Sequence, residues 1–386
     1  MKTVVVVGAG ASHDCWSGPG LQDPVYAPPL TAGVFGPTER EWETRDQAAF
    51  YADLLSRYGG ALPIAQLVRQ QEDGTTQSFE QRLAGYANHR SENLRRRYLD
   101  VPWFLSDLFY RITEQNAVGA GAYTQLVSAL VEESSDELLF LSLNYDTLLE
   151  RSLQALSGWH PETMSDYTSG RVAVVKPHGS IDWVHDISDL APGDWSVEKI
   201  RQAPVRLIGA GGPVLTHWPT FHTGKKAVAG YPAITAPIAR KSAEQAVCPP
   251  AHLTFARQFI AEADRLLVIG ASGLDEDLIE WLSCARRLVQ FTLVDFSPSS
   301  DARTLVRTWE RYAFACSVAL AHASHVVHRN GFRRFASGPA LQTFVSGQDQ
   351  EGAADFARTY RNLHAQKLNP TLALSAGLGA GLGVEP

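Results

Sequence analysis

The chain has 386 residues, 45% of them hydrophobic and 19% charged, with a formal net charge of -7. This is a soluble globular composition, enough for two compact domains or for one α/β domain with large insertions. The acidic balance excludes the broad basic field that holds nucleic acid non-specifically, so no direct nucleic-acid binding is expected. Local basic clusters, Arg95-Arg96-Arg97, Lys225-Lys226 and Arg333-Arg334, read as solvated faces. The four cysteines, Cys15, Cys248, Cys284 and Cys316, form no C-x-x-C pair and have no histidine at zinc-finger spacing. Neither a metal knuckle nor a disulfide framework is expected, and scattered thiols fit a reducing cytoplasm. No apolar run approaches the length that crosses a membrane.

In chain order, residues 3–7 are a β-branched run that ends in Gly8-Ala9-Gly10-Ala11-Ser12. This predicts a buried strand feeding a glycine-rich turn. Glycines there let backbone approach a ligand, and free amides favour a phosphate. A tight turn without a ligand has the same signature. Gly18, Pro19, Gly20, Pro24, Pro28, Pro29, Gly33 and Gly36 follow. They bar a helix through 13–36, so a long loop is expected to leave the sheet, with no helix after the turn. Residues 39–70 and 78–115 carry helical periodicity, with Leu54, Leu55, Tyr58 and Leu62 in the first and Trp103, Phe104, Leu108 and Ile112 in the second. They are expected to form a helical insertion over 37–120. A further helix is expected over 123–133.

Residues 138–143 are an apolar run of the length of a buried parallel strand, and it stops on Asn144 and Asp146. Leu149, Leu153 and Leu156 then fall at i, i+4 and i+7, one helix face. Asn144 and Asp146 therefore stand where a strand ends and a helix begins, the edge at which α/β sheets bind ligands. Asp146 serves equally as a helix N-cap. Residues 171–176 form a second such strand, ending in Pro177-His178-Gly179-Ser180-Ile181-Asp182-Trp183. His178 is expected on a rigid turn at the sheet edge; a structural histidine with satisfied hydrogen bonds is the alternative. Residues 184–250 are expected to be an irregular insertion covering the site. Its His185, His217 and His222 lack the helical spacing of a zinc site.

A helix over 252–263 and a strand over 266–269 come next, then the turn Gly270-Ala271-Ser272-Gly273-Leu274. Asp275-Glu276-Asp277 opens a helix, and these acidic residues read as caps. Residues 291–294 are a strand ending on Asp295, which suits either a ribose diol or the turn before Ser297-Pro298. Residues 303–314 are expected to be helical. One domain is expected over 1–340, followed by a C-terminal segment over 341–386 with a flexible Gly/Ala/Leu tail.

Four motifs, taken in order over residues 1–300, resemble the sirtuin superfamily, and more closely the bacterial sirtuin-like NAD-hydrolase domains of phage-defence systems. They are Gly8-Ala9-Gly10-Ala11-Ser12, Asn144-Tyr145-Asp146-Thr147-Leu148-Leu149-Glu150, Lys176-Pro177-His178-Gly179-Ser180-Ile181-Asp182-Trp183, and Gly270-Ala271-Ser272-Gly273-Leu274-Asp275-Glu276-Asp277. The resemblance implies an α/β fold, a Rossmann-like, sirtuin-type parallel sheet with a helical insertion. The deacylase branch carries a four-cysteine zinc module, which this sequence cannot form. It also carries a Phe-Arg segment where Ala32-Gly33-Val34-Phe35-Gly36 stands here without the arginine. No zinc module and no peptide deacylation are therefore expected.

The resemblance further implies NAD+ as substrate, no metal, and cleavage of the nicotinamide–ribose bond through an oxocarbenium-like state. It assigns a water to Asn144, whose amide both donates and accepts. It assigns the ribose hydroxyls and a proton to His178, and the cation or the water to Asp146. Gly8, Ala9, Gly10, Ala11 and Ser12 would cradle the pyrophosphate, and Gly270, Ser272 and Asp295 the adenosine half. It also implies an anti-phage effector, gated because uncontrolled NAD+ loss kills the host. The gate would be a homo-oligomer, a partner such as a HerA-type ATPase or an Argonaute, or a nucleotide signal. A nucleotide sensor without turnover and an ADP-ribosyl or acyl transferase remain open. An ordinary Rossmann oxidoreductase is the remote alternative, because His13 breaks the G-x-G-x-x-G spacing.

Overall fold

The β-branched and leucine-rich runs become the strands of the computed structural model, which describes residues 1–16, 28–30, 33–36, 45–70, 83, 85–86, 89–116, 121–186, 213–215, 222–223, 226–227, 230–235, 247–295, 302–319 and 323–347. The strands are β1 (Lys2–Val7), β2 (Glu137–Ser142), β3 (Val172–Val175), β4 (Gly179–Asp186), β5 (Pro213–Leu215), β6 (His222–Thr223), β7 (Lys226–Ala227), β8 (Gly230–Ile234), β9 (Arg265–Ile269), β10 (Gln290–Val294) and β11 (Ser324–His328). Six of them form one sheet in the order β11-β10-β9-β1-β2-β3, with every pair parallel. Renumbered within that sheet, the order from the β3 edge is 3-2-1-4-5-6, the order of dinucleotide-binding sheets. The direction of winding reverses between β1 and β9. Val4 is paired there with Leu139 on one side and Leu266 on the other.

Both faces of this sheet are covered, which is why its strands read as continuous apolar runs. Val4, Val6, Leu139, Leu141, Leu266 and Val268 point to one face, under the helices Pro250–Ala261, Glu276–Leu282 and Ala302–Ala315. Val5, Val7, Leu138, Phe140, Leu267 and Ile269 point to the other. That face is covered by the helices Ala9–Trp16, Ala122–Val127, Leu148–Ser157, Gly331–Ser337 and Pro339–Ser346. Val4, Val5, Val6 and Val7 are each at most 1% exposed, and burial of each side chain stabilises the fold by about 1.5–3 kcal/mol. In the helix Leu148–Ser157, Leu149 and Leu153 are buried and Leu156 packs beside them. Gly158 ends it in the left-handed conformation, at φ 66°.

A second, antiparallel sheet has the order β5-β4-β8. The helices expected over 37–120 are Arg45–Arg57, Ala61–Gln70, Glu92–Tyr98 and Asp100–Gln115. Asp100–Gln115 packs on this second sheet and the other three gather around that helix: Leu54, Ile64, Trp103, Phe104 and Leu108 share a core with Ile181, Tyr231 and Ile234. Tyr231 also donates its hydroxyl to the Leu99 carbonyl at 2.9 Å.

The structure corrects several expectations. A helix, Ala9–Trp16, begins directly after β1. The first helix breaker is Gly18, so there is room for two turns before it. The helix expected over 123–133 is Ala122–Val127 continued by a π-helical turn, Ser128–Glu132. β11 and the two helices after it were not anticipated, because Ser-His-Val-Val-His offers only two apolar residues in its run. The helix Pro339–Ser346 spans the boundary expected at 340, with Leu341 and Phe344 in the core. The Gly/Ala/Leu tail and most of 187–246 lie outside the described residues.

Candidate active site

The parallel strands all deliver their carboxyl ends to one edge, and a cavity of about 430 Å³ opens there. That is within the range of small-molecule sites, about 300–1,000 Å³. Gly8, Ala9, Gly10 and Ser12 line it from the end of β1, and Leu143, Asn144, Tyr145 and Asp146 from the end of β2. His178 lines it beyond β3, Gly270, Ala271, Ser272, Leu274 and Asp275 beyond β9, and Asp295 beyond β10. Pro28, Pro29, Leu30, Val34, Phe109, Thr304 and Thr308 complete the wall. Of the residues expected at a site, Ala11 does not line the cavity; it is fully buried in the core beneath the sheet's second face.

Asn144 is held by its amide nitrogen. Nδ2 lies 3.1 Å from the Gly8 carbonyl, 2.9 Å from Ser12 Oγ and 3.3 Å from the Tyr123 hydroxyl. A carbonyl can only accept, so the NH2 group must face Gly8 and Oδ1 must point the other way. Ser12 Oγ and the Tyr123 hydroxyl are themselves 2.9 Å apart. Ser12 is 2% exposed: it secures Asn144, where a phosphate contact was expected.

The glycine-rich start is also used differently from the expectation. The amides of Gly8 and Gly10 donate to the carbonyls of Ile269 at 2.9 Å and Gly270 at 3.0 Å, and the Ala11 amide donates to the Gly8 carbonyl at 2.9 Å. These amides are not free for a phosphate. The glycines instead let two loops press together where the winding reverses. A Cβ on Gly8 would stand 2.5 Å from the Gly270 carbonyl oxygen. One on Gly270, whose φ is +59°, would stand 2.2 Å from the Ala11 nitrogen.

Asp146 is 3% exposed, and its Oδ1 accepts from the Leu148 amide at 3.1 Å. The N-cap position itself is taken by Thr147, so Asp146 closes the turn before the helix and does not cap it, and it stands in the cavity wall. Burial holds its carboxyl above the usual carboxylate range, opposed by the charge of Lys176. Lys176 is fully buried. Its Nζ donates to the Asp146 carbonyl at 2.6 Å and lies 2.5 Å from Glu150 Oε1. Glu150 Oε2 accepts no hydrogen bond from the described residues. Burial pushes the Glu150 carboxyl up to about 7, with Lys176 pulling it down and Asp182 pushing it further up.

That shift sets a pH dependence. A carboxyl whose folded pKa exceeds its unfolded value contributes stability that is full below about 4.5 and lost as pH rises through about 7. Relative to Glu150→Gln, the wild-type protein is expected to lose about 3 kcal/mol between pH 4.5 and pH 8. Denaturant unfolding of both proteins at the two pH values checks this; parallel pH profiles would show that Glu150 titrates normally.

His178 sits on a turn clamped by the second sheet. Its carbonyl accepts from the Thr235 amide at 3.0 Å. The next residue, Gly179, has φ +85°, and a Cβ there would fall 1.9 Å from the Ala233 carbonyl oxygen. The Tyr145 ring lies 6.3 Å from the His178 ring and 5.3 Å from Phe109. The Tyr145 hydroxyl donates to the Thr235 carbonyl at 2.6 Å. His178 Nε2 is 2.7 Å from Asp275 Oδ2. Asp275 was expected only to cap a helix. It does so, with Oδ1 accepting from the Leu278 amide at 2.9 Å, and it also partners the histidine.

Tyr145, flanked by two expected site residues, could have been found from its position, and Asp275 from its motif. Tyr123 and Phe109 carried no local signal. His185 is buried on β4, and the side chains of His217 and His222 lie outside the described residues. Among the described residues no group of three His, Cys, Asp or Glu is placed to hold a metal ion. None of their helices is long and apolar enough to cross a membrane.

No protein-family model and no curated protein matches the chain. Among the solved structures it is similar to are sirtuins. A Sir2 protein bound to a propionylated peptide is 12% identical, with 90% of this chain and 94% of that one covered and a TM-score of 0.38. A structure described as showing the structural basis of sirtuin substrate affinity is 13% identical, with 91% and 94% covered and a TM-score of 0.38. A Sir2 variant with a deacetylated p53 peptide and 3′-O-acetyl ADP-ribose is 12% identical, with 90% and 94% covered and a TM-score of 0.37.

Proposed function

We propose that the chain is an NAD+ glycohydrolase, which takes NAD+ and water to nicotinamide, ADP-ribose and a proton. The observation that carries this reading is the cavity at the winding reversal of the main sheet. Into it the adjacent strands β2 and β3 deliver an amide of fixed orientation, Asn144, and a carboxylate-paired imidazole, His178. The C–N bond to nicotinamide breaks with its electron pair going to the ring nitrogen, so the leaving group departs neutral and needs little acid help. The protein's task is to orient the ring, stabilise positive charge on the ribose and place a water. Asn144 Oδ1 would orient that water, and His178 would contact the ribose hydroxyls and take the proton released as water adds. Asp146 would stabilise the cation or hold the water. Gly270, Ser272, Asp295, Thr304 and Thr308 would take the adenosine half.

The helix after β1 removes one argument against an ordinary oxidoreductase. The remaining ones are that Gly8 and Gly10 have spent their amides on the neighbouring loop and that His13 stands where a third glycine is required. The motif resemblance supports a cytoplasmic anti-phage effector. In this reading it is held inactive until a homo-oligomer, a HerA-type ATPase or an Argonaute partner, or a nucleotide signal releases it.

The test is incubation of the purified chain with NAD+, alone and in lysate of phage-infected cells, with nicotinamide and ADP-ribose followed by chromatography. Release in either condition, lost in His178→Ala, is the expected result. If nicotinamide is released without free ADP-ribose and label from NAD+ enters protein, the chain is a transferase. Absence of release in both conditions, with ADP-ribose still binding, would point to a sensor.

A further inference from the structure

The contact between His178 and Asp275 joins residues 97 apart in the chain, and nothing in the proposed reaction yet uses the carboxylate. Its two oxygens have separate tasks. Oδ1 is fixed by the Leu278 amide at 2.9 Å, and Oδ2 faces His178 Nε2 at 2.7 Å. The group cannot rotate without giving up one of them. The loop that carries it is anchored as well. The Ala271 carbonyl accepts from the Tyr312 hydroxyl at 3.1 Å, and the Ser272 carbonyl accepts from the Arg311 guanidinium at 2.8 Å. The Asp275 and His178 side chains are 22% and 11% exposed, a setting in which a charge-assisted hydrogen bond is stronger than in water.

We propose that Asp275 is a positioning residue that sets the tautomer of His178; the catalytic consequence rests on the glycohydrolase reading above. An ionised carboxylate only accepts, so the imidazole proton must sit on Nε2. Nδ1 is then the basic atom of the ring. When it takes the proton released as water adds to the ribose, the ring becomes an imidazolium with its second N–H already directed at a carboxylate. No proton passes to Asp275; it orients the ring and stabilises the cation.

Two substitutions in the full-length chain separate this role from helix capping. Asp275→Asn keeps the shape and, because asparagine caps helices as well as aspartate does, keeps the helix. With its oxygen on the Leu278 amide, its NH2 group faces His178 and drives the ring proton to Nδ1. Asp275→Ala loses the cap but leaves the tautomer free. Asp275→Asn is therefore expected to melt close to wild type and bind ADP-ribose normally, yet turn over about a thousandfold more slowly with KM little changed. Asp275→Ala is expected to melt lower and turn over faster than Asp275→Asn. A purely structural role predicts the same order in both measurements, and that result overturns the proposal.

A second readout needs no turnover. In the nitrogen-15 spectrum of ring-labelled protein, with His178→Ala identifying the resonances, the wild-type ring is expected to be protonated on Nε2 and the Asp275→Asn ring on Nδ1. An unchanged tautomer overturns the proposal even if NAD+ is hydrolysed. The expected switch in a chain that hydrolyses no NAD+ upholds Asp275 and rejects the glycohydrolase reading.

Discussion

Lys176→Met is expected to lower the stability of the fold by about 3–5 kcal/mol at pH 8. Methionine fills much of the lysine's volume and adapts its shape to the core, so the loss is electrostatic. Lys176 is fully buried, and its ammonium is the group that faces Glu150, 2.5 Å away. Without it the Glu150 carboxyl, which Lys176 pulls down, is pushed up further. At pH 8 the folded state must then either bury an unpaired charge or take up a proton that the unfolded chain does not hold, at a site where Oε2 accepts no hydrogen bond from the described residues. The loss should shrink at pH 5, because the carboxyl, already pushed up to about 7, takes a proton and its charge disappears. Lys176→Met/Glu150→Gln should recover most of the stability at pH 8, since removing both partners of a buried pair costs far less than removing one. Guanidinium unfolding of the wild type, both single variants and the double variant at pH 5 and pH 8 measures this. Equal losses at the two pH values would refute the charged pair. Turnover of the single variant should also fall, because Lys176 ties the Asp146 carbonyl, and with it the loop carrying Asn144, to the end of β3.

Asn144→Ala is expected to reduce turnover by at least about a hundred- to a thousandfold, the usual cost of losing one preorganised polar group at a reacting centre. The fold should survive. Ser12 Oγ and the Tyr123 hydroxyl remain hydrogen-bonded to each other, so the Gly8 carbonyl is the group that gives up a donor, at about 1 kcal/mol. Asn144→Asp probes the same point from the other side. A carboxylate of the same shape would face the Gly8 carbonyl, so this variant should lose both turnover and stability. Nicotinamide release and thermal melting of the two variants distinguish the outcomes. Full turnover in Asn144→Ala would reject the assignment of the reaction to this cavity.

The local features of this protein were legible in its residues. β1, β2, β3, β9 and β10 are short apolar runs because a parallel sheet covered on both faces admits little else. The helix Leu148–Ser157 follows from the spacing of Leu149, Leu153 and Leu156. Asn144, Asp146 and His178 could be placed at a ligand-binding edge because each follows such a run, and the carboxyl ends of parallel strands share one side of the sheet. β11 escaped because two valines make no recognisable run. The helix Ala9–Trp16 escaped because the breakers that forbid a longer helix begin beyond it.

Only the tertiary structure decided what those residues touch. The glycines of the first turn suggest a phosphate cradle when read locally. Their close approach to Gly270 shows that they make room for backbone, and Ser12 is turned to Asn144. The pairing of His178 with Asp275, of Lys176 with Glu150, and the arrival of Phe109 from the helical insertion at the cavity wall have no counterpart in periodicity or spacing. Amphipathic pattern and turn chemistry act over a few residues and are written in the chain. Contacts across tens of residues depend on strand order and on how helices cover each face, and a linear pattern does not specify these.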